Sequence, residues 1–314
     1  MKGTLIYTGQ RLVLIAFTAI AASSIVFISI HLQPGSALIT DRPSSPLALQ
    51  QLLHRYNLDL PWPQQYWNWL THAVRGDFGV SLATARGEPL TPVLLREAGV
   101  SATLGAVAIV FTIGVGVSLG TLAAIRQNTW VDYVASTAAV ITYSVPSFVW
   151  GFLLIILTVS GLYAWTGGAF YESIGWGKPE QIPVPALALG LPYAAIVARL
   201  TRASMLEVVR QDYVRTAWAK GLPGRVVVIR HALRNALIPV ITILGPLVTA
   251  IITGSVVIEY LFGIPGLGKE FVESILARDY NIVVAVFTCY ALLVGIANLI
   301  VDLLYPVLDP RIRY

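Results

Sequence analysis

One stretch of the chain carries a nucleotide-binding pattern: Gly263-Ile264-Pro265-Gly266-Leu267-Gly268-Lys269 fits Gly-x4-Gly-Lys. A phosphate loop of that kind continues with Ser or Thr, whose hydroxyl binds Mg²⁺. Here the next residue is Glu270, which offers no hydroxyl and repels phosphate. The glycines read instead as a tight turn. His31, His54, His72 and His231 are scattered and form no metal-ligand spacing, and there is no His-Glu-x-x-His or Gly-x-Ser-x-Gly. The single cysteine, Cys289, excludes an intrachain disulfide framework and a multi-cysteine zinc site. No catalytic residue and no metal site are expected.

Two other groups of residues could do work without covalent chemistry. The first is a basic segment, 199–234, with eight basic residues and two acids. Within it Asp212 can start a short helix running through Tyr213-Val214-Arg215-Thr216-Ala217-Trp218-Ala219-Lys220. Gly221 and Pro223 would stop it. Asp212 is an N-cap residue type, and the cap is the favoured reading over an acid that pairs with a partner. A small Ala217 and a side-chain-free Gly221 permit close approach of a partner groove, with Arg215 and Lys220 able to reach acids on its rim. The plainer reading makes Gly221 a helix terminator only. The second group lies in apolar stretches. Pro146 breaks a helix turn and frees carbonyls near Tyr143, Ser144 and Ser147. Thr242, Thr249, Thr253 and Ser255 dot a later stretch, which Glu259 ends ahead of Leu261 and Phe262. Packing is the favoured role for most of these. Glu259 reads equally as a gate latch and as a solvated acid, with Phe262 as a constriction residue.

The elements that must hold these groups follow from composition. The 314 residues are 56% apolar and 12% charged, with mean hydropathy +0.73. A soluble domain carries about 25% charge, so the expected class is an all-α polytopic membrane protein. Apolar runs of about 20 residues span a bilayer. Six are predicted, at 12–30, 98–125, 133 to about 162, 182–198, 235–258 and 280–301. The first follows Lys2 and Arg11, is longer than a signal h-region and lacks a clear cleavage site, so it reads as retained. Gly114, Gly116 and Gly120 let helices pack closely. Near-absence of charge within the spans argues against a carrier with carboxylate relays.

Six spans put both termini on one side. That side holds 13 of the 21 basic residues and five acids, while the other holds eight bases and eleven acids. The positive-inside rule makes the basic side cytoplasmic. The pI near 9.3 therefore calls for no nucleic acid partner. Residues 1–31 form the cytoplasmic N-terminus and first helix, 32–97 an external cap, and 98–314 the remaining spans with the basic segment. In the cap, Ser45-Pro46 signals a helix start, with Leu49, Leu52, Leu53 and Tyr56 at helical spacing. Pro63 opens a second helix presenting Tyr66, Trp69, Leu70 and Ala73 on one face. Packing of its tryptophans at headgroup level is favoured over contact with an external partner.

Several blocks together resemble the membrane permease subunit of bacterial ATP-binding-cassette importers, and more narrowly the first permease of the dipeptide/oligopeptide/nickel group. They are RYNLDLPWPQQYWNWL, RGDFGVSL, YSVPSFVWG, RQDYVRTAWAKGL, RHALRNALIPVIT, GSVVIEYLFGIPGLG and DPRIRY. The resemblance implies a cytoplasmic coupling helix that carries force from an ATPase. The family signature is Glu-Ala-Ala, three residues, Gly, nine residues, Ile-x-Leu-Pro. Set on Gly221, it matches Ala217, Gly221 and Leu233 only; Arg215 replaces the Glu and Arg234 the Pro.

The resemblance also implies a subunit without chemistry of its own. ATP and Mg²⁺ would be bound by two partner ATPases. A second, similar permease would complete the pathway, and an external substrate-binding protein would deliver a short peptide, all in the bacterial cytoplasmic membrane among its lipids. A nickel or other small-ligand importer is the alternative within the group. An ATP-independent secondary carrier is the alternative outside it.

Overall fold

The computed structural model describes residues 2–32, 50–51, 53–54, 56–82, 87–161 and 173–308. Most of them are helical, and the one β feature among the described residues is an isolated antiparallel bridge, Val80 to Pro89. The helices are α1 (Lys2–His31), α2 (Trp62–Ala73), α3 (Leu90–Ile125), α4 (Trp130–Ser144), α5 (Ser147–Ile156), α6 (Pro183–Val208), α7 (Asp212–Ala219), α8 (Leu244–Phe262), α9 (Leu267–Leu276) and α10 (Tyr280–Leu308). Five stretches are long and apolar enough to cross a membrane, or six if α4 and α5 with its extension to Gly161 form one span. The chain is a multi-pass membrane protein.

Four predicted spans differ from the sequence reading. The helices α1 and α3 begin earlier than their apolar runs. The third span is not straight: its two halves bend by 105° at a short break. Pro146 has no N–H and forces Val145 into an extended conformation (φ −97°, ψ 125°), so α4 cannot run on into α5. The expected fifth span, 235–258, is interrupted at Leu237 and Ile243, giving short helices Arg234–Ala236 and Ile238–Thr242 before α8. Pro239 and Pro246 explain this, because each ring clashes with the carbonyl four residues earlier and cannot bond it. At the second break the Tyr305 hydroxyl fills in, donating to the Thr242 carbonyl (3.4 Å) and accepting from the Gly245 N–H (3.3 Å).

The chain divides into two compact units. In one, residues 1–101 and 265–296, the core joins Leu90 and Leu94 of α3, Leu267 of α9, and Ile282, Ala285 and Val286 of α10, with Trp69 and Phe78 packed against it. The amphipathic α2 forms as expected, entered through Pro61 with a proline in its first turn. Tyr66 lies within 2.8 Å of both Ser23 and Ser24 of α1. Asp279 precedes α10 and is fully buried. Its carboxylate accepts from Ser81 Oγ (2.7 Å) and the Leu82 N–H (2.9 Å), pinning the chain that leaves α2. The first cap helix signal, at Ser45, Pro46, Leu49 and Leu52, lies outside the described residues.

The second unit, residues 102–264 and 297–314, is built on α6. Alanines and glycines bring backbones together there. A Cβ on Gly116 would stand 2.6 Å from Val197 Cβ, and one on Gly190 would stand 2.9 Å from the Ala108 carbonyl. Gly120 is equally tight on Ala198, whereas Gly114 faces open space.

Candidate functional site

The basic segment folds as a helix–turn–helix against the end of α6. After Val209 and Arg210, Gln211 takes the extended N-cap conformation (φ −71°, ψ 149°). Asp212 is therefore the first residue of α7 and not its cap, and no side-chain capping bond forms. The correction has a simple cause: the extended residue, not the best capping type, is the one that the chain reversal at 209–211 supplies. Asp212 instead lies 3.9 Å from Arg215, an exposed pair worth little in water.

Side chains on α7 sort into two faces. Val214 is fully buried and Ala217 is 5% exposed, and both pack against Val227 with Val208 and Leu222 at the edge. Ala217 thus uses its small size to seat the helix on its own chain, not to admit a partner. Leu233 likewise packs inward, beside Met205, Ala232 and Ala236. The opposite face is exposed: Tyr213, Arg215, Thr216, Trp218 and Lys220. Asn235 Nδ2 donates to the Tyr213 hydroxyl at 2.7 Å, bracing this aromatic from the far side of the segment.

Gly221 ends α7 with φ +72°, a conformation that L side chains resist. A Cβ there would meet nothing within 4 Å, so the backbone angle and not crowding within the chain requires glycine. After Pro223 the chain re-enters helix at Gly224, under the Trp218 ring, and widens into a π-helix over Val227–Leu233. The sequence carried no sign of that widening.

At the break after α4, Trp150 Nε1 donates to the Thr142 carbonyl at 3.2 Å, re-satisfying one of the acceptors that Pro146 frees. Pro146 and Tyr143 are exposed, and the Arg199 guanidinium lies 5.3 Å over the Tyr143 ring. Gly151 lets α5 close on α8, since a Cβ there would come within 2.6 Å of Leu261.

Along α8, Thr253 is exposed and bonds back to the Thr249 carbonyl at 2.7 Å. Glu259 and Phe262 do not reach solvent: both are 0% exposed. Ser255 Oγ donates to Glu259 Oε1 at 2.8 Å, and the Gly175 N–H donates to the Phe262 carbonyl at 2.7 Å. The reading of Glu259 as a solvated helix-end acid is thereby corrected. The helix is closed by Gly263 at φ +66°, and the turn that follows folds Ile264 inward instead of leaving the end in water. The phosphate-loop-like glycines are such a turn, with Gly266 preceding α9. Burial, reinforced by Glu273, pushes the Glu270 carboxyl above its usual range.

The structure also holds a pair that the sequence did not single out. Asp132, third residue of α4, has its side chain 3% exposed and meets Arg202 of α6, 30% exposed. The bond is bidentate, Nε to Oδ1 at 2.5 Å and Nη2 to Oδ2 at 2.7 Å. The Asn128 N–H donates to Oδ2 at 3.1 Å and Ser136 Oγ to Oδ1 at 3.3 Å. Seventy residues separate the two charges, and no local pattern joins them.

Residues 116–314 match the family described as binding-protein-dependent transport system inner membrane component. The chain belongs to that family. The matched region contains the basic segment, the Pro146 break and α8. Among relatives of this permease, the dipeptide transport system permease protein DppB of Bacillus subtilis is 40% identical over 307 residues, covering 98% of this chain and 97% of its own. The oligopeptide transport system permease protein OppB of Salmonella typhimurium is 40% identical over 293 residues, covering 93% and 94%. The dipeptide permease DppB of Lactococcus lactis is 35% identical over 307 residues, covering 98% and 99%.

Proposed function

We propose that this chain is one permease subunit of an ATP-driven importer of short peptides in the bacterial inner membrane. Family membership and relatives named for dipeptide and oligopeptide transport support the reading. The single observation that carries the mechanism is α7: a short helix seated on its own chain by Val214 and Ala217, presenting aromatic and basic groups outward. Such a face suits a groove on a partner ATPase, with Tyr213 and Trp218 as anchors and Arg215 and Lys220 as rim contacts. Asp212 and Thr216 complete the exposed surface. Ala217 and Leu233 fix the seat and Gly221 the turn.

Two ATPases bind ATP and Mg²⁺ below the membrane, and the chain itself binds neither and catalyses no reaction. A second, similar permease completes the pathway, and an external binding protein delivers the peptide. Closure of the ATPases moves α7, and the spans respond by changing the accessible side. Tyr143, Pro146 and Thr253 are the exposed candidates for the pathway wall. The buried Glu259 and Phe262 hold the end of α8 and act in a gate only by moving with it.

Both termini and the basic segment face the cytoplasm, with 1–31 entering the membrane, 32–97 capping the outer side and 98–314 forming the core. This orientation rests on the charge asymmetry and on counting the bent α4–α5 pair as one span. A membrane-impermeant thiol reagent applied to sealed cells should label Gln65→Cys and leave Arg225→Cys unlabelled; the reverse pattern overturns it. The function is tested by co-purifying the chain with its partners and reconstituting the complex. Peptide uptake that requires both ATP and the binding protein is expected. Uptake by the chain alone, driven by an ion gradient, overturns the reading.

A further inference from the structure

The two ends of α4 are held by two arginines of α6. Arg202 takes Asp132 near the start, and Arg199 lies over Tyr143 at the last turn, just before the Pro146 break. A cavity of about 260 Å³ runs beside α4, lined by Trp130, Val134 and Ala138 with Leu119 of α3 and Ala194 and Ala198 of α6. By contrast α3 and α6 are pressed together at Gly116 and Gly120. The small residues close α6 on α3, and the bidentate pair adds a polar, directional hold of α6 on α4.

The same stretch of α6 reaches the basic segment. Met205, less than one turn beyond Arg202, is fully buried in a cluster with Ala232 and Ala236, with Val208 and Leu233 at its edge. Val208 also borders the cluster of Val214, Ala217 and Val227 that seats α7. A continuous chain of packed groups thus leads from α7 through Val208 and Met205 to Arg202, then by the ion pair to α4 and the Pro146 break.

We propose that the Asp132–Arg202 pair is a positioning link that makes α4 follow movements of α7, so that the broken span moves when the ATPases close. The inference rests on the importer reading above. The link carries a directional expectation. With Arg202 removed, a carboxylate remains in a site with 3% exposure; with Asp132 removed, the remaining guanidinium is already 30% exposed and reaches water. Loss of Arg202 should be the more damaging of the two.

The test uses the reconstituted complex of permeases, ATPases and binding protein, reading peptide uptake and ATP hydrolysis side by side with the yield of assembled complex. Asp132→Asn should lower uptake per ATP hydrolysed by about tenfold, within the usual range of coupling effects, with hydrolysis and assembly kept. Arg202→Gln should lower it further. Asp132→Glu, which preserves the charge and shifts its position, should retain most of the uptake and serves if the other variants assemble poorly. In a Cys289→Ser background, Asp132→Cys with Arg202→Cys should be uncoupled until a short bis-methanethiosulfonate joins the two thiols through disulfides, with a sulfinate leaving at each, and uptake should then recover and be lost again when a reductant cleaves those disulfides.

Three outcomes overturn the proposal. The first is uptake and hydrolysis falling together in proportion to assembled complex, for then the pair only supports folding. The second is wild-type coupling in Asp132→Asn. The third is a cross-link that abolishes the remaining uptake, since α4 and α6 would then need to separate. A wild-type complex that shows no ATP-driven uptake rejects the importer reading, and this inference with it, and is told apart from these three by the wild-type control alone.

Discussion

The ends of α7 and α8 share a local sequence and differ in everything around it. One reads Lys220-Gly221-Leu222-Pro223 and the other Phe262-Gly263-Ile264-Pro265, with glycine φ values of +72° and +66°. Both helices stop because glycine alone takes the left-handed angle without strain and the proline beyond cannot continue the helix. Yet at α7 the turn stands in the open: Gly221 and Pro223 are exposed, and nothing lies within 4 Å of a Cβ at Gly221. At α8 the turn is inside, with Glu259, Phe262 and Ile264 all at 0% exposure. One turn is open, as the docking proposal requires, and the other is packed within its own unit.

The largest expected effect breaks this contrast if it is wrong. Phe262→Ala should cost about 3–5 kcal/mol of stability through transfer and cavity terms. Trp218→Ala, at 50% exposure, should leave thermal stability nearly unchanged while abolishing most ATP-coupled uptake. Equal stability losses at the two positions would erase the distinction.

Next come the glycines. Gly221→Ala and Gly263→Ala should each cost about 1–2 kcal/mol from the positive φ, seen as similar falls in melting temperature. Gly221→Ala should reduce coupling more than that fall explains, and Gly221→Asn should restore part of both, since Asn tolerates the left-handed region. Identical behaviour of Gly221→Ala and Gly263→Ala in uptake would make Gly221 a helix terminator and nothing more.

A smaller effect concerns Glu259. Because Ser255 Oγ donates to its carboxylate, Glu259→Gln keeps an acceptor in place and should lower stability by no more than about 1–3 kcal/mol, with basal ATP hydrolysis unchanged. A raised basal rate in reconstituted membranes would restore the carboxylate as a latch. The smallest effect is at the rim of α7. Lys220→Glu should weaken association with the ATPases by a few fold at low salt and less at high salt, because exposed charges are screened over about 10 Å at 0.1 M. A salt-independent loss would place Lys220 in a buried contact instead.

Features that depend on neighbours along the chain were legible in its linear order. Runs of apolar residues gave the spans, Gly221 with Pro223 gave the stop of α7, and Pro146 gave a break, because each acts within a turn or two of itself. It also gave the family, through blocks such as RQDYVRTAWAKGL spread along its length. Pro239 and Pro246 are local signals as well, masked by the apolar run that surrounds them.

Which side of each element meets other elements emerges only in the packed chain. Ala217 looks like a surface for a partner until Val227 is found against it, and Glu259 reads equally as a latch or a solvated acid until the turn after it folds inward. Asp132 and Arg202 are ordinary charges in a linear reading, each counted toward topology. They become a buried pair only because α4 and α6 lie side by side, and a contact between residues seventy positions apart has no period to betray it. Helical period and turn chemistry are short-ranged, whereas burial is a property of the packed chain, so the same Gly-x-Pro code gave an open end in one place and a closed one in the other.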